Sequence, residues 1–302
     1  MSATELPASA VPHGLSLSPS RASDFLSCPL KYRFRVIDRI PEPPSAAATR
    51  GTVVHAVLER LFDLPPGERT LPRAAQLVSP EWEQLLEAEP ELAALLADDE
   101  PNGSLPAFLA DAHALLERYF ALEDPTRLEP AERELHVTTT LDSGLTLRGY
   151  VDRLDVSVAG DMRVVDYKTG KAPGAGFESG AMFQMRFYAL VLWRVHGRAP
   201  RMLQLLYLGS GEVLRYEPDE ADLLATERKL EALWQAIRRA TDAGDWRPKP
   251  SRLCDWCSYK ESLCPAWGGT PPPLPSTLPD DRADGDPEAP SPRGFGDESP
   301  LA

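Results

Sequence analysis

The spacing of apolar residues has a helical period in the first half of the chain. Between Thr52 and Leu64 apolar side chains recur three and four residues apart, which predicts an amphipathic helix. An earlier helix is expected to begin at Ser18 and Pro19, because serine is a favoured N-cap and proline suits the first helical position. The helical pattern returns from Glu81 to Leu122, with interruptions at prolines.

The period changes to that of β-strands in the middle of the chain. The segments 132–141 and 145–158 are strand-like, and the segment 162–169 is apolar and β-branched. The chain therefore mixes strands with helices. The later predicted elements are a helix over 183–196, a hairpin over 202–216 and a helix over 219–243.

The hairpin from Arg148 to Lys171 carries the most distinctive polar residues. Successive strand side chains point to opposite faces, so Asp166 and Lys168 share a face and Tyr167 points away. Antiparallel pairing could place Asp152 beside them, and carboxylate oxygens suit a hard cation such as Mg²⁺. A surface hairpin with a salt bridge is the alternative, and spacing alone leaves both interpretations open.

The length of 302 residues allows one large domain with tails. We predict a disordered N-terminus over 1–14, a folded domain over 15–268 and a disordered tail rich in Pro and Asp over 269–302. No apolar run approaches the roughly 20 residues that span a bilayer. The first residues resemble no secretion signal, so a cytoplasmic protein is expected.

The net charge of −14 disfavours a nucleic-acid partner until its distribution is considered. The segment 81–100 has eight acidic and no basic residues, and the segment 271–302 has a net charge of −5. The rest of the chain is therefore close to neutral. It contains local basic clusters that could face phosphates or could equally be solvated helix faces, such as Lys31, Arg33, Arg35 and Arg39.

The four cysteines indicate a metal site. Cys28 stands alone, and Cys254, Cys257 and Cys264 form a C-x2-C-x6-C pattern. A disulfide framework is not expected in a cytosolic chain, whereas four thiolates complete the coordination of Zn²⁺ or of an iron–sulfur cluster. Prolines after the first and last cysteine favour the iron–sulfur cluster.

Two catalytic classes lose support because their motifs are absent. The Gly170–Lys171 pair lacks the hydroxyl residue and glycine spacing of a P-loop. The segment 209–211 does not match a nucleophile elbow. His55 lies on the predicted helix, where a lone histidine is more often packed or solvated than a ligand.

Taken in order, five segments resemble the RecB-type branch of the PD-(D/E)XK nuclease superfamily. The cysteine arrangement is similar to the iron–sulfur variant seen in AddB-type subunits and CRISPR-associated exonucleases. The resemblance covers residues 15 to 268, although the superfamily's proline is absent before Asp166. The segments are GTVVHAVLE with His55, Glu132 before a strand, GYVDRLD with Asp152, VVDYKTGK with Asp166 to Lys168, and QMRFY from Gln184 to Tyr188.

The resemblance implies a restriction-endonuclease-like α/β core, with a central mixed sheet flanked by helices. It implies that Lys168 positions or activates the attacking water, and that Gln184 and Tyr188 line the site against the DNA strand. Glu132 would support the metal shell, with Glu134 and Glu129 as alternatives. The implied ligands of Mg²⁺ or Mn²⁺ are His55, Asp152, Asp166 and the Tyr167 carbonyl, and those of a [4Fe–4S] cluster are Cys28, Cys254, Cys257 and Cys264.

The implied activity is a metal-dependent nuclease, acting as an exonuclease on single-stranded DNA or DNA ends in repair or recombination. A catalytically weak DNA-binding subunit of a helicase–nuclease complex is the alternative. A zinc-stapled protein without a nucleic-acid role is a third interpretation, but it leaves the carboxylate–lysine arrangement unexplained.

Overall fold

The computed structural model describes residues 16–96, 104–174 and 178–275. Their contacts divide into two compact units. The first unit contains residues 16–42, 138–149 and 224–275, and the second contains the described residues of 43–137 and 150–223. The predicted N-terminal segment 1–14 and most of the predicted tail lie outside the described residues. No described helix is both long and apolar enough to cross a bilayer.

A mixed β-sheet is the framework of the fold. Its strands are β1 (Ser16–Leu17), β2 (Glu132–Thr140), β3 (Thr146–Val156), β4 (Met162–Lys168), β5 (Met202–Tyr207) and β6 (Glu212–Tyr216). The strand order is β1-β3-β4-β5-β6, and β2 pairs with β3. The β3–β4 and β5–β6 pairs are antiparallel, whereas β1–β3 and β4–β5 are parallel. The helices are α1 (Pro19–Ser27), α2 (Pro29–Tyr32), α3 (Ala46–Leu61), α4 (Leu71–Ala88), α5 (Leu105–Leu122), α6 (Glu178–His196) and α7 (Glu220–Ala243).

The second unit has an apolar core between helices α3, α4 and α5 and the sheet. Val54, Leu58 and Leu61 of α3 are fully buried in it. Tyr167 of β4 also reaches this core, since it points to the face opposite Asp166. At the end of β4 the alternation therefore places Val165 and Tyr167 in this core and Asp166 and Lys168 on the opposite face, which is polar at that end.

One charged side chain is buried beneath this strand. Arg153 of β3 is 1% exposed and donates hydrogen bonds to Glu123 Oε2 at 2.8 Å and to the Tyr167 hydroxyl at 2.8 Å. Asp155 Oδ1 lies 3.1 Å from its Nε. Because a buried charge is tolerated only when paired, these contacts fix the position of Tyr167 as well as that of the arginine.

The first unit joins residues from three distant parts of the sequence. Tyr32 stacks on Trp246 with ring centroids 5.9 Å apart, and Phe25 packs edge-on against both. The Tyr259 hydroxyl donates to the Ile40 carbonyl at 2.8 Å. These contacts hold the cysteine-rich segment against the N-terminal helices.

The expected mixture of helices and strands is confirmed, but several boundaries were wrong. Helix α3 begins at Ala46 instead of Thr52, because the Ser45 hydroxyl accepts a hydrogen bond from the Ala48 amide and caps it earlier. Helix α4 begins at Leu71 and continues through Pro80, whereas the sequence pattern predicts a helical segment only from Glu81. The strand β1 was also missed, because two residues are too few to show the alternation of apolar and polar side chains that indicates a strand.

Candidate active site

The β3–β4 pairing brings the first acidic residues together. Arg153 pairs with Val165, so the register places Asp152 across from Asp166. Asp152 Oδ2 accepts a hydrogen bond of 2.7 Å from the Tyr167 amide. The antiparallel hairpin predicted from the sequence is thus present, and the two carboxylates follow the pair Arg153–Val165 in its register.

His55 on helix α3 points at the same place. Its Nε2 lies 2.9 Å from the Tyr167 carbonyl oxygen, and its Nδ1 lies 3.5 Å from Asp152 Oδ2. The imidazole and Asp152 thus contact the carbonyl and the amide of one residue, Tyr167. The lone histidine is therefore part of a convergent polar cluster.

Glu134 is the third member of this cluster. One donor atom from each of His55, Glu134 and Asp152 lies within 4.8 Å of the other two. Glu134 has a φ of 44°, which is uncommon for a residue other than glycine and departs from the extended backbone of strand β2. Neither Glu132, which the resemblance favoured, nor Asp166 is part of this three-residue group, and Glu129 pairs with Arg69.

These donors fit a hard divalent cation. Ligand distances of about 2.1 Å place neighbouring atoms of an octahedral shell about 3.0 Å apart. The 2.9 Å hydrogen-bond contact between His55 Nε2 and the Tyr167 oxygen brings the two atoms close enough for one cation to replace it. Carboxylate and carbonyl oxygens suit Mg²⁺ or Mn²⁺, and the imidazole adds one nitrogen donor.

A second set of polar contacts surrounds Asp166. Lys168 Nζ lies 2.5 Å from Asp166 Oδ2 and donates to Gln184 Oε1 at 3.0 Å. Gln184 Nε2 in turn donates to Asp166 Oδ1 at 2.9 Å and to the Tyr188 hydroxyl at 3.1 Å. Gln184 and Tyr188 are four residues apart on α6 and so share one helical face. The predicted residues of β4 and α6 therefore form one connected network.

The carboxylates are crowded and partly desolvated. Burial, followed by repulsion from Asp152, raises the pKa of Asp166 to about 6. Burial and the same neighbour raise the pKa of Glu134 to about 7. Lys168 and His55 offset only part of this effect, so the cluster has an excess of negative charge at neutral pH.

Comparison with known proteins identifies the family. The family model of the PD-(D/E)XK nuclease superfamily matches residues 16–265. The chain belongs to the PD-(D/E)XK nuclease superfamily. The superfamily expected from the motifs is therefore confirmed, as is its restriction-endonuclease-like α/β fold. Membership supports a hydrolytic nuclease, and nucleases of this superfamily use divalent metals.

Individual relatives cover most of the chain. The Gene 69 protein of Mycobacterium phage D29 is 27% identical over 275 residues, which cover 83% of this chain and 96% of that protein. The Gene 69 protein of Mycobacterium phage L5 is 25% identical with the same coverage. The crystal structure of a candidate exonuclease from Eubacterium rectale has a TM-score of 0.54 at 16% identity. It covers 82% of this chain and 89% of its own, and it shows a shared fold.

The four cysteines lie together in the first unit as free thiols. They line one cavity of about 190 Å³. The Lys249 amide donates to Cys28 Sγ at 3.4 Å, and the Ser251 amide donates to Cys254 Sγ at 3.3 Å. Among the described residues, no three of these sulfurs belong to a group as compact as the histidine–carboxylate cluster.

The basic cluster of the N-terminal helices is largely paired with acids. Lys31 and Arg35 contact Asp24 at 3.4 and 2.7 Å, and Arg33 contacts Asp38 at 2.9 Å. These ion pairs reduce the positive charge that the sequence suggested for phosphate contacts.

We predict that the contribution of Asp166 and Glu134 to the stability of the metal-free protein falls as the pH rises from about 4 to 7. The raised pKa values of Asp166 and Glu134 mean that the folded state retains protons that the unfolded chain, with carboxyl pKa values near 4, has released. The stabilisation is complete below pH about 4 and is lost as the pH passes the folded values. Melting temperatures in EDTA between pH 4 and 8 would measure it, with Glu134→Gln as the control with a weaker dependence. Adding Mn²⁺ should reverse the trend, because metals bind the deprotonated carboxylates.

We also predict that Glu134→Gly and Glu134→Ala both lower cleavage at least tenfold, since each removes the carboxylate. They should differ in stability, because only glycine adopts a φ of 44° without strain. Glu134→Gly should be more stable than Glu134→Ala by about 1 kcal/mol in urea unfolding. Equal stability of the two variants would contradict the assigned backbone strain.

Proposed function

We propose that the chain is a Mg²⁺- or Mn²⁺-dependent deoxyribonuclease that hydrolyses phosphodiester bonds. The observation that carries this proposal is the convergence of His55, Glu134 and Asp152 within 4.8 Å of one another, beside the Asp166–Lys168 pair. Three carboxylates facing one lysine require a cation to balance them. The alternative, a surface salt bridge, would need only Asp166 and Lys168 and would leave the convergence of His55, Glu134 and Asp152 unexplained.

The proposed metal ligands are His55, Asp152, Asp166, Glu134 and the Tyr167 carbonyl. When bound, the metal supplies charge that polarises the scissile phosphate and lowers the pKa of water. Asp152 is held in place by the Tyr167 amide, so its orientation depends on backbone instead of on a flexible side chain. Glu134 takes the supporting role that the sequence left open among three glutamates.

Lys168 is proposed to hold the attacking water or a phosphate oxygen. Its ammonium group has three hydrogen-bond donors, and Asp166 and Gln184 occupy two directions. The third can be donated to the substrate. Gln184 contacts both Lys168 and Tyr188, and these residues place one face of α6 along the proposed path of the DNA strand.

We propose single-stranded DNA or DNA ends as the substrate, within repair or recombination, on the basis of the RecB-type motif order. A catalytically weak subunit that depends on a helicase partner is the alternative. The complete set of carboxylates, lysine and glutamine supports an active enzyme, because a purely binding role needs none of them in this geometry.

For the cysteine cavity we propose a [4Fe–4S] cluster in preference to Zn²⁺. Tetrahedral zinc with sulfur at about 2.3 Å draws the sulfurs to about 3.8 Å from one another. The described thiols do not form so compact a group, whereas they do surround a cavity of about 190 Å³. Backbone N–H groups aimed at Cys28 and Cys254 are also suited to iron–sulfur sites, where they tune the potential.

The activity is tested with Asp152→Asn and Lys168→Ala on end-labelled single- and double-stranded DNA with Mg²⁺ or Mn²⁺. Both should lose at least about 100-fold in turnover, since each removes transition-state stabilisation. Asp152→Asn should also weaken Mn²⁺ binding by calorimetry, while Lys168→Ala should retain it. Full activity of Asp152→Asn would refute the mechanism. A wild-type protein that binds DNA without cutting it would favour the accessory-subunit alternative.

The cluster is tested with Cys257→Ser, purified without oxygen. The wild-type protein should be brown and contain iron and sulfide, and the variant should be bleached. Its melting temperature should fall, because joining Cys28 to Cys254 closes a loop worth about 5.4 kcal/mol on the disulfide model. A colourless wild-type protein with one equivalent of zinc would refute the iron–sulfur assignment, and an equally stable variant would refute any metal tie.

A further inference from the structure

We propose that a pocket beside strand β4 binds a phosphate group of the substrate strand next to the scissile one. This inference rests on the proposed function, since it takes nucleic acid as the substrate. The pocket has a volume of about 230 Å³ and lies in the second unit. We call it the cationic pocket, after its three basic residues Arg50, Arg118 and Lys171.

The three cations come from three different elements. Arg50 lies on helix α3, Arg118 on helix α5, and Lys171 in the loop that follows β4. Asp111 is the acidic residue of the lining and contacts Arg50 at 2.9 Å. The lining therefore has a net charge of +2, in a chain whose total is −14. Like charges gathered around a cavity repel one another unless an anion joins them.

Phosphate is the anion that this lining suits best. Guanidinium groups bind phosphate oxygens through two parallel N–H donors, and lysine adds a point charge. Arg118 Nη1 donates to the Leu208 carbonyl at 3.3 Å, which orients the side chain. The two arginines thus offer directed N–H donors to a bound phosphate, and the lysine adds positive charge.

The floor of the pocket is held rigidly by close backbone contacts. A Cβ atom on Gly209 would lie 2.4 Å from the Gly170 oxygen, so only glycine fits there. The Gly209 amide donates to that same oxygen at 3.1 Å. A Cβ atom on Gly51 would approach the Thr169 hydroxyl to 3.3 Å, so helix α3 also lies close to this loop. Thr169 and Gly170, which directly precede Lys171, are therefore closely packed, and this reduces the entropic cost of binding.

The pocket is adjacent to the candidate active site along the chain. Thr169 follows Lys168 directly, and Arg50 precedes His55 by five residues on the same helix. Five residues of α-helix advance about 7.5 Å. That length is comparable to the separation of neighbouring phosphates in one strand, for which the axial rise of about 3.4 Å per nucleotide is a lower bound. A strand whose scissile phosphate lies at the carboxylates can therefore place a neighbouring phosphate in the pocket.

The phosphate can be an internal diester of a strand that continues past the site or a monoester at a strand end. Both offer the same oxygens to the arginines, so the lining defines the chemical group and the experiment separates its source. A terminal monoester has one more negative charge, and it would make the enzyme sensitive to end phosphorylation.

The test uses the full-length protein with Arg118→Gln and Lys171→Gln, each with a melting curve to check folding. Arg73→Gln is the matched control, because Arg73 is half exposed, contacts Glu68 at 3.6 Å and lies outside the pocket. Binding of fluorescent single-stranded oligonucleotides in EDTA is measured by anisotropy over a range of salt. The oligonucleotides have a 5′-phosphate, a 3′-phosphate or hydroxyls at both ends. Lys171→Arg tests whether the charge is restored.

Each pocket variant should weaken binding five- to twentyfold and lower the salt slope by about 0.7, the value for one phosphate contact on a single strand. Arg73→Gln and Lys171→Arg should resemble the wild type. A loss confined to one phosphorylated end assigns a terminal monoester, and an equal loss on all three assigns an internal diester. Wild-type affinity and salt slope in both pocket variants, with DNA still cleaved by the wild type, would overturn this inference alone. A wild type that neither binds nor cleaves DNA would overturn the proposed function and this inference together.

Discussion

The backbone of Tyr167 is the constraint on which the candidate active site depends. Its amide donates to Asp152 and its carbonyl faces His55, while its side chain lies on the opposite face, in the core. There its hydroxyl accepts a hydrogen bond from Arg153, and its ring lies edge-on to that of Tyr119. One residue therefore couples the packing of the second unit to the orientation of the polar cluster. A shift of β4 by a single residue would reverse both faces at once.

The buried arginine adds specificity to this coupling. Arg153 and Glu123 form a desolvated pair, and such pairs contribute little net stability compared with a well-packed apolar pair. Their effect is on geometry, because leaving either charge alone in the core is costly. On the opposite face of β4 the charges are not balanced in this way, because Asp152, Asp166 and Glu134 repel one another when no cation is bound. The core thus holds together a set of charges that would otherwise separate.

The parts of the site that depend on regular periodicity could be predicted from the sequence. Alternation along β4 correctly placed Asp166 and Lys168 on one face, and a four-residue spacing correctly brought Gln184 and Tyr188 together. Glu134 could not be chosen over Glu132, because both fall on one face of a regular strand and only the left-handed backbone at Glu134 distinguishes them. The cationic pocket could not be predicted either, since its three basic residues meet only through tertiary packing.

The discontinuous first unit has a consequence for the order of events during synthesis. Its segments 16–42 and 224–275 flank the whole second unit, so Cys28 leaves the ribosome long before Cys254, Cys257 and Cys264. At about 5–20 residues per second, the first thiol waits about 10–45 s for its partners. All of the residues proposed for DNA cleavage are synthesised within that interval. The second unit can therefore be fully synthesised while the cysteine cavity still lacks three of its four thiols. The assembly of that cavity comes last.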